Sequence, residues 1–174
     1  MPSTNYLIQR TTLANGQTMP SIHLGTYLTK ERETYQAVLD ALEVGYRAFD
    51  SAQMYENEAE VGEAINHWIA QGSKSLNGSN VRSRSNISFT TKLAENSGYD
   101  SAMKAIRDSV EKCGLGYIDL FLLHSPYGGR ATRLESWRAV EDAIAAGVVK
   151  VGGVSNFGKR HVSSPKKPSS RLPN

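Results

Sequence analysis

The sequence predicts an α/β fold, an incomplete (β/α)8 TIM barrel with about five of the eight βα units and an N-terminal β-hairpin. Strand-like and helix-like segments alternate along the chain, and repeated βα units form a parallel sheet. One strand segment, YIDLFLLHSP, is apolar almost without a break, which is typical of a strand covered on both faces. An open dinucleotide-binding sheet should carry G-x-G-x-x-G after its first strand. The sequence there is HLGTYLT, so the barrel is favoured.

The first elements are a hairpin and a βα unit. Asn15 and Gly16 lie between two short stretches with apolar members, and an Asn-Gly pair readily supplies the positive φ angles of a tight hairpin turn. Residues 22–27, IHLGTY, predict a buried strand. Residues 29–44 predict the first helix, because apolar side chains recur at helical spacing. They are Tyr35, Val38, Leu39 and Leu42.

The later elements repeat this alternation four times. RAFDSA, NISFTTKL, YIDLFLLHSP and VVKVGGVSNFG predict four further strands. Residues 58–70, 100–113 and 133–146 predict the intervening helices, each with apolar residues along one face. The chain therefore offers five strands and four helices for the barrel.

Composition indicates one globular domain. The chain has 174 residues, of which 39% are hydrophobic and 21% are charged. No apolar run approaches the roughly 18 residues of a membrane span, and the N-terminus lacks the apolar core of a signal peptide, so we expect a cytoplasmic protein without a membrane partner. Cys113, the single cysteine, lies at helical spacing from apolar neighbours and predicts a core position. One cysteine excludes an internal disulfide and a multi-cysteine metal site, and we expect no metal.

Three ranges describe the predicted domain organisation. Residues 6–158 form the folded body, residues 72–86 an exposed Ser/Gly/Asn-rich loop insertion, and residues 159–174 a disordered basic Ser/Pro tail. The tail holds five cations and no acid, whereas the remainder has 15 cations and 17 acids. Because the tail lacks interleaved aromatic residues and a helical pattern, we expect no nucleic-acid partner.

Polar residues follow four of the five predicted barrel strands. In α/β barrels the active site lies at the carboxyl ends of the strands, where the βα loops gather. Taken singly, each such residue has an ordinary structural explanation, but together they lie at one rim. They are Asp50, Tyr55, Lys92, His124, Ser155 and Asn156.

Four segments together resemble a known family. FDSAQMYENEAEVGEAI, FTTKL, DLFLLHSP and GVSNFG, in this order and spacing, resemble the aldo-keto reductases, which reduce carbonyl groups with NADPH on a (β/α)8 barrel. The resemblance implies a catalytic tetrad. Its members here are Asp50, Tyr55, Lys92 and His124.

The chemistry of these side chains agrees with the roles that the resemblance implies. A carbonyl that accepts hydride must also receive a proton, which Tyr55 would donate. An ammonium stabilises a phenolate, so Lys92 would activate Tyr55, and Asp50 would hold Lys92 in place. His124 would orient the substrate oxygen by a hydrogen bond.

The resemblance also implies cofactor and substrate contacts. The residues implied for NADPH (NADP+) are Gly25, Thr26, Ser155 and Asn156, the last two as partners of the nicotinamide carboxamide. The substrate-pocket residues are Tyr27, Met54 and Ser125. Since many relatives carry a bulky aromatic residue where Ser125 stands, the pocket wall is expected to be thinner here.

The expected function is NAD(P)H-dependent reduction of aldehydes or ketones to alcohols, an oxidoreductase reaction on CH–OH donors with NADP as acceptor. Its substrate would be a small carbonyl compound, and the complete protein is expected to be a monomer. A complete barrel typically needs about 250 residues, and the resemblance ends after the fifth strand. The alternative is therefore a catalytically inactive, truncated fragment that acts, if at all, by binding a partner.

Overall fold

The computed structural model describes Leu7 and residues 9–72 and 82–162. The strands in these ranges are β1 (Arg10–Thr12), β2 (Thr18–Pro20), β3 (Leu24–Gly25), β4 (Ala48–Asp50), β5 (Ser88–Leu93), β6 (Ile118–Leu123) and β7 (Val149–Val154). The helices are α1 (Glu31–Val44), α2 (Glu58–Ala70), α3 (Tyr99–Cys113), α4 (Arg130–Ala145) and α5 (Lys159–Val162). None of the helices in these ranges has the length and apolarity that crossing a bilayer requires.

The main sheet contains five parallel strands in the order β3-β4-β5-β6-β7. Each strand pairs with its neighbour in sequence, and a helix follows each strand. A doubly wound sheet would reverse its strand order at a switch point, whereas this order runs in one direction. The predicted alternation of five strands with intervening helices is confirmed.

The N-terminal hairpin is present, but its turn is wider than predicted. β1 and β2 pair antiparallel, with Thr12 opposite Thr18. The connecting loop spans five residues and is closed by a 2.8 Å hydrogen bond from the Leu13 amide to the Gln17 carbonyl. Gly16 adopts a φ of +81°, but Asn15 has no positive φ, so the Asn-Gly pair does not form a tight turn by itself.

The first barrel strand is shorter than predicted. Residues 22–27 were expected to form a buried strand, but β3 contains only Leu24 and Gly25, which are partly to fully exposed. β3 lies at the edge of the sheet, where β4 is its one strand partner within the described part of the chain. Tyr27, beyond the end of β3, is 65% exposed. An apolar segment at a sheet edge lacks the second neighbour that would extend its pairing.

The core lies between the sheet and its helices. Phe49, Phe89 and Phe121 project from β4, β5 and β6 towards the helices and are fully buried. Burial of one such ring contributes roughly 1.5–3 kcal/mol. Cys113 is 1% exposed, which confirms its predicted core position. Helices α2 and α3 meet at Gly62, where an added Cβ would lie 1.7 Å from the Cys113 carbonyl oxygen, so only glycine fits this contact.

Part of the predicted loop insertion, residues 73–81, lies outside the described residues. The remainder is attached to the fold. Arg82 lies 3.3 Å from Glu43 and stacks over the Trp68 ring. Residues Arg84–Asn86 form a 3-10 turn, and these residues are partly buried because their side chains bond to the neighbouring elements.

The predicted disordered tail begins differently in the structure. Lys159–Val162 form the single turn of helix α5, where no fold was expected. The Gly158 amide donates to His161 Nδ1 at 2.9 Å, and the His161 ring packs edge-on against Phe157. These local contacts explain an ordered turn in a polar segment. Residues 163–174 lie outside the described residues.

Candidate active site

The predicted tetrad residues lie at the carboxyl ends of three adjacent strands. Asp50 is the last residue of β4, Lys92 is the penultimate residue of β5, and His124 follows β6 directly. The register pairs Asp50 with Thr90 and Lys92 with Leu122. Since side chains alternate between the two faces of a strand, these residues share the face of the sheet opposite the helices.

The Lys92 ammonium is held by two oxygen atoms from β4 and its loop. Its Nζ lies 2.5 Å from Asp50 Oδ1 and 2.8 Å from the Ser51 carbonyl oxygen. The Lys92 side chain is 7% exposed, while that of Asp50 is 31% exposed. A buried ammonium needs such partners, because desolvation without them would cost several kcal/mol. Asp50 therefore fixes both the charge and the position of Lys92.

The Tyr55 hydroxyl is the third group in contact with Lys92. It lies 3.5 Å from Nζ, and Nζ is 4.9 Å from the centre of the Tyr55 ring. Tyr55 ends the 3-10 turn Gln53–Tyr55, and Glu56, at a φ of +58°, turns the chain towards α2. The turn is held by Gln53, which donates to the Ala105 carbonyl and accepts from the Ala94 amide, both at 2.9 Å.

His124 completes the group from the neighbouring strand. Its ring packs edge-on against the Tyr55 ring, with 5.8 Å between centroids. Burial lowers the pKa of His124, the Lys92 charge lowers it further, and Asp50 partly opposes both. Its Nδ1 is buried without a hydrogen-bond partner among the described residues. The imidazole is therefore neutral at neutral pH, with Nε2 as the nitrogen available to donate.

Ser155 and Asn156 adjoin His124 at the end of β7. The Ser155 amide donates to the Leu123 carbonyl at 2.8 Å, and Asn156 Nδ2 donates to the His124 carbonyl at 2.9 Å. Asn156 adopts a φ of +61°, a conformation that asparagine tolerates better than most residues. These bonds bring both predicted nicotinamide contacts next to the tetrad.

The other two predicted cofactor residues differ in accessibility. Gly25 leaves open space, since an added Cβ would meet nothing within 4 Å. Thr26 is 1% exposed, and its hydroxyl donates to the Asp50 carbonyl at 3.2 Å. The Thr26 side chain is therefore occupied by contacts within the protein.

The predicted pocket residues surround Tyr55 and His124. Tyr27 packs against Tyr55 with 4.9 Å between ring centroids, and Met54 is 60% exposed. The Ser125 carbonyl accepts a 2.8 Å hydrogen bond from Asn96 Nδ2. Exposed apolar side chains thus lie beside the tetrad, as a substrate pocket requires.

Two amide side chains of the site were missed by sequence reasoning, Gln53 and Asn57. Both lie within the DSAQMYENE segment, yet nothing in the sequence distinguishes them from ordinary polar residues. An asparagine just before a helix usually indicates a helix cap, but Asn57 makes no side-chain cap bond. Only the fold reveals that its side chain is fully buried.

Comparisons with known sequences give one family. Residues 21–170 match the sequence model of the Aldo/keto reductase family. An uncharacterised oxidoreductase of Schizosaccharomyces pombe is 46% identical over 151 residues, which cover 86% of this chain and 50% of that protein. Morphine 6-dehydrogenase of Pseudomonas putida is 37% identical over 146 residues, covering 83% and 45% of the two chains. The chain spans about half the length of the curated relatives it matches.

Comparisons with solved structures agree. An aldo-keto reductase from a Medee basin deep-sea metagenome library superposes with a TM-score of 0.80 at 38% identity, covering 94% of this chain and 55% of that chain. A Bombyx mori aldo-keto reductase, crystallised in complex with NADP, gives 0.76 at 34% identity, covering 90% and 54%. The predicted fold class, an incomplete (β/α)8 barrel with five βα units, is confirmed. With the family match over most of its length, this chain belongs to the aldo/keto reductase family.

Proposed function

We propose that this chain carries the catalytic groups of an NADPH-dependent reductase that converts aldehydes or ketones to alcohols, with Tyr55 as proton donor. The observation that carries the proposal is the buried Lys92 ammonium, bound to Asp50 and 3.5 Å from the Tyr55 hydroxyl. A cation at this distance favours loss of the phenolic proton in the transition state. A structural ion pair alone does not explain an adjoining phenol and a neutral imidazole.

Several features of the site fit NADPH. Ser155 and Asn156 provide hydrogen-bonding groups beside His124, and the space next to Gly25 is open. Two similar proteins, the Bombyx mori enzyme and a Gox0644 variant, were solved with NADP and NADPH respectively. Ser155 and Asn156 would hold the nicotinamide carboxamide, and the bound cofactor would supply the hydride.

The chain's own residues would complete the reaction at the carbonyl oxygen. His124 Nε2 would donate a hydrogen bond to that oxygen and orient it towards Tyr55. As the carbonyl carbon gains hydride, the Tyr55 hydroxyl would transfer its proton to the oxygen, which gives the alcohol. Lys92 would stabilise the phenolate left behind, and Asp50 would keep the ammonium in place.

The substrate is proposed to be a small carbonyl compound that contacts the exposed Tyr27 and Met54 beside Ser125. A serine at position 125 leaves room that a larger side chain would fill. The cytoplasmic location, the monomeric state and the absence of a nucleic-acid partner stay predictions.

The test is Tyr55→Phe in the protein that contains this chain, with alcohol formation measured by chromatography. We expect kcat to fall about 10²–10⁴-fold, the usual contribution of a general acid, while NADPH binding measured by fluorescence is retained. Tyr99→Phe is the matched control, because the Tyr99 hydroxyl bonds to Asp142 on α4. Unchanged turnover by Tyr55→Phe would contradict the tetrad assignment.

A second candidate is a catalytically inactive chain that binds a partner. It is favoured by one observation, that the chain covers about half of its relatives' length. A folded, unmodified chain that forms no alcohol from any aldehyde or ketone tested would support this candidate.

A further inference from the structure

The buried side chain of Asn57 joins the loop after β3 to the loop after β4. Asn57 is 0% exposed. Its Nδ2 donates to the carbonyl oxygens of Thr26 and Thr29, at 2.8 and 3.0 Å. Its Oδ1 accepts from Ser51 Oγ at 2.7 Å and from Thr26 Oγ1 at 3.3 Å. The whole hydrogen-bonding capacity of the amide is thus used between these two loops.

These loops carry the two aromatic rings of the site. Tyr27 lies on the loop after β3 and Tyr55 on the loop after β4, and their rings meet at 4.9 Å with a tilt of 54°. Tyr27 is 65% exposed, so little other packing holds it. The next residue, Leu28, has a φ of +68°, a strained conformation for leucine that persists only where surrounding bonds impose it.

The same amide also reaches the Lys92 support. Ser51, whose hydroxyl donates to Asn57, accepts the Lys92 ammonium on its carbonyl oxygen at 2.8 Å. One side chain therefore connects the Tyr27 loop to the peptide that holds Lys92. Helix capping does not explain this role, because Asn57 forms no side-chain cap bond with α2.

We propose that Asn57 is a positioning residue, whose amide fixes the Tyr27 wall of the substrate pocket relative to Tyr55. Asn57 acts through the loop after β3 and does not itself contact substrate. The effect on substrate recognition rests on the proposed carbonyl reduction. The positioning of the two rings is a property of the folded chain and is tested without substrate.

The test variant is Asn57→Asp, which preserves shape and the acceptor for Ser51 but removes both N–H donors to Thr26 and Thr29. The loop after β3 should loosen while the Ser51 contact remains. The matched control is Asn66→Asp, an exposed position on the same helix whose Nδ2 makes one 3.1 Å bond to the Gly114 carbonyl.

The first measurement is the NMR cross-relaxation between the Tyr27 and Tyr55 rings in the 174-residue chain, with urea unfolding to establish that each variant is folded. We expect strong ring-to-ring signals in the unmodified chain and in Asn66→Asp, and their loss in Asn57→Asp. In the active protein we expect Asn57→Asp to raise the KM for the carbonyl substrate about tenfold, with kcat changed less than about threefold.

Unchanged ring signals in a folded Asn57→Asp variant would overturn the proposal, as would a lower kcat at unchanged KM. If this variant does not fold, side-chain amide exchange in the unmodified chain decides. The Asn57 Nδ2 protons should exchange at least about 100-fold more slowly than those of Asn66, and equal rates would overturn the proposal. Lack of turnover in the unmodified protein would count against the proposed function alone, since the ring contacts are measured without substrate.

Discussion

At the scale of single residues, His124 is a direct reporter of the charges in the site. Burial and the Lys92 ammonium lower its pKa below the ordinary 6.5, and the Asp50 carboxylate partly opposes them. We predict that Lys92→Met raises the His124 pKa, because a repelling cation is lost and Asp50 is left unbalanced. Asp50→Asn should lower it further, because the ammonium then acts alone.

NMR titration of the His124 ring measures these shifts without substrate or cofactor, and a shift of the same sign in both variants would contradict the ion-pair geometry. The sign for stability follows from the lowered pKa. Below pH 6.5 the unfolded chain binds the proton more readily than the folded one, so the contribution of His124 to stability is lost as the pH falls through this range.

The tetrad could be predicted from the sequence because its members follow strands, and the carboxyl ends of parallel strands meet at one rim. Gln53 and Asn57 could not be predicted in this way. Their role depends on which backbone groups lie opposite them after folding, such as the Ala94 amide and the Thr26 carbonyl. Local sequence carries no record of such partners.

At the scale of structural elements, Asp119 joins three strands at the end of the sheet opposite the tetrad. At the start of β6, it accepts hydrogen bonds from Arg84 at 2.6 Å, from the Phe89 amide of β5 at 3.0 Å and from Lys150 of β7 at 2.9 Å. Its side chain is 13% exposed. A carboxylate with three donors should contribute more to stability than an isolated surface ion pair.

We predict that Asp119→Asn lowers the free energy of unfolding by about 2 kcal/mol, since two cations lose a buried partner. The control is Asp108→Asn, whose partner Lys104 is 76% exposed. An exposed pair of this kind contributes about 0.5 kcal/mol or less. Urea unfolding of both variants measures the difference, and equal losses would show that the Asp119 cluster is no stronger than a surface pair.

Element boundaries differ in how far the sequence determines them. Helix α2 spans Glu58–Ala70 as predicted, because its apolar face and its ends are local features. β3 is shorter than predicted because strand length depends on partners, and β3 has a single strand partner within the described residues. The five-residue hairpin loop, similarly, is set by pairing between Leu13 and Gln17 that the Asn-Gly pair does not reveal.

At the scale of the whole molecule, the catalytic and cofactor groups are unevenly represented in this chain. The four tetrad residues all lie within the described residues and contact one another. The proposed cofactor contacts are fewer. Ser155, Asn156 and Gly25 lie at the rim, whereas the Thr26 hydroxyl is bound inside the protein. Cofactor affinity should therefore be the weaker property when the 174-residue chain is tested alone.

We predict that this chain alone binds NADPH with a Kd on the order of 0.1 mM or weaker, because a few hydrogen bonds scarcely offset the entropy lost on binding. Titration of NADPH fluorescence measures the Kd, and Asn156→Ala should weaken it further if the carboxamide contact is correct. Asn96→Ala is the comparison, since Asn96 bonds instead to the carbonyls of Ser125 and Tyr127. A micromolar Kd would contradict the prediction, because this half of the relatives' length would then be sufficient for cofactor recognition.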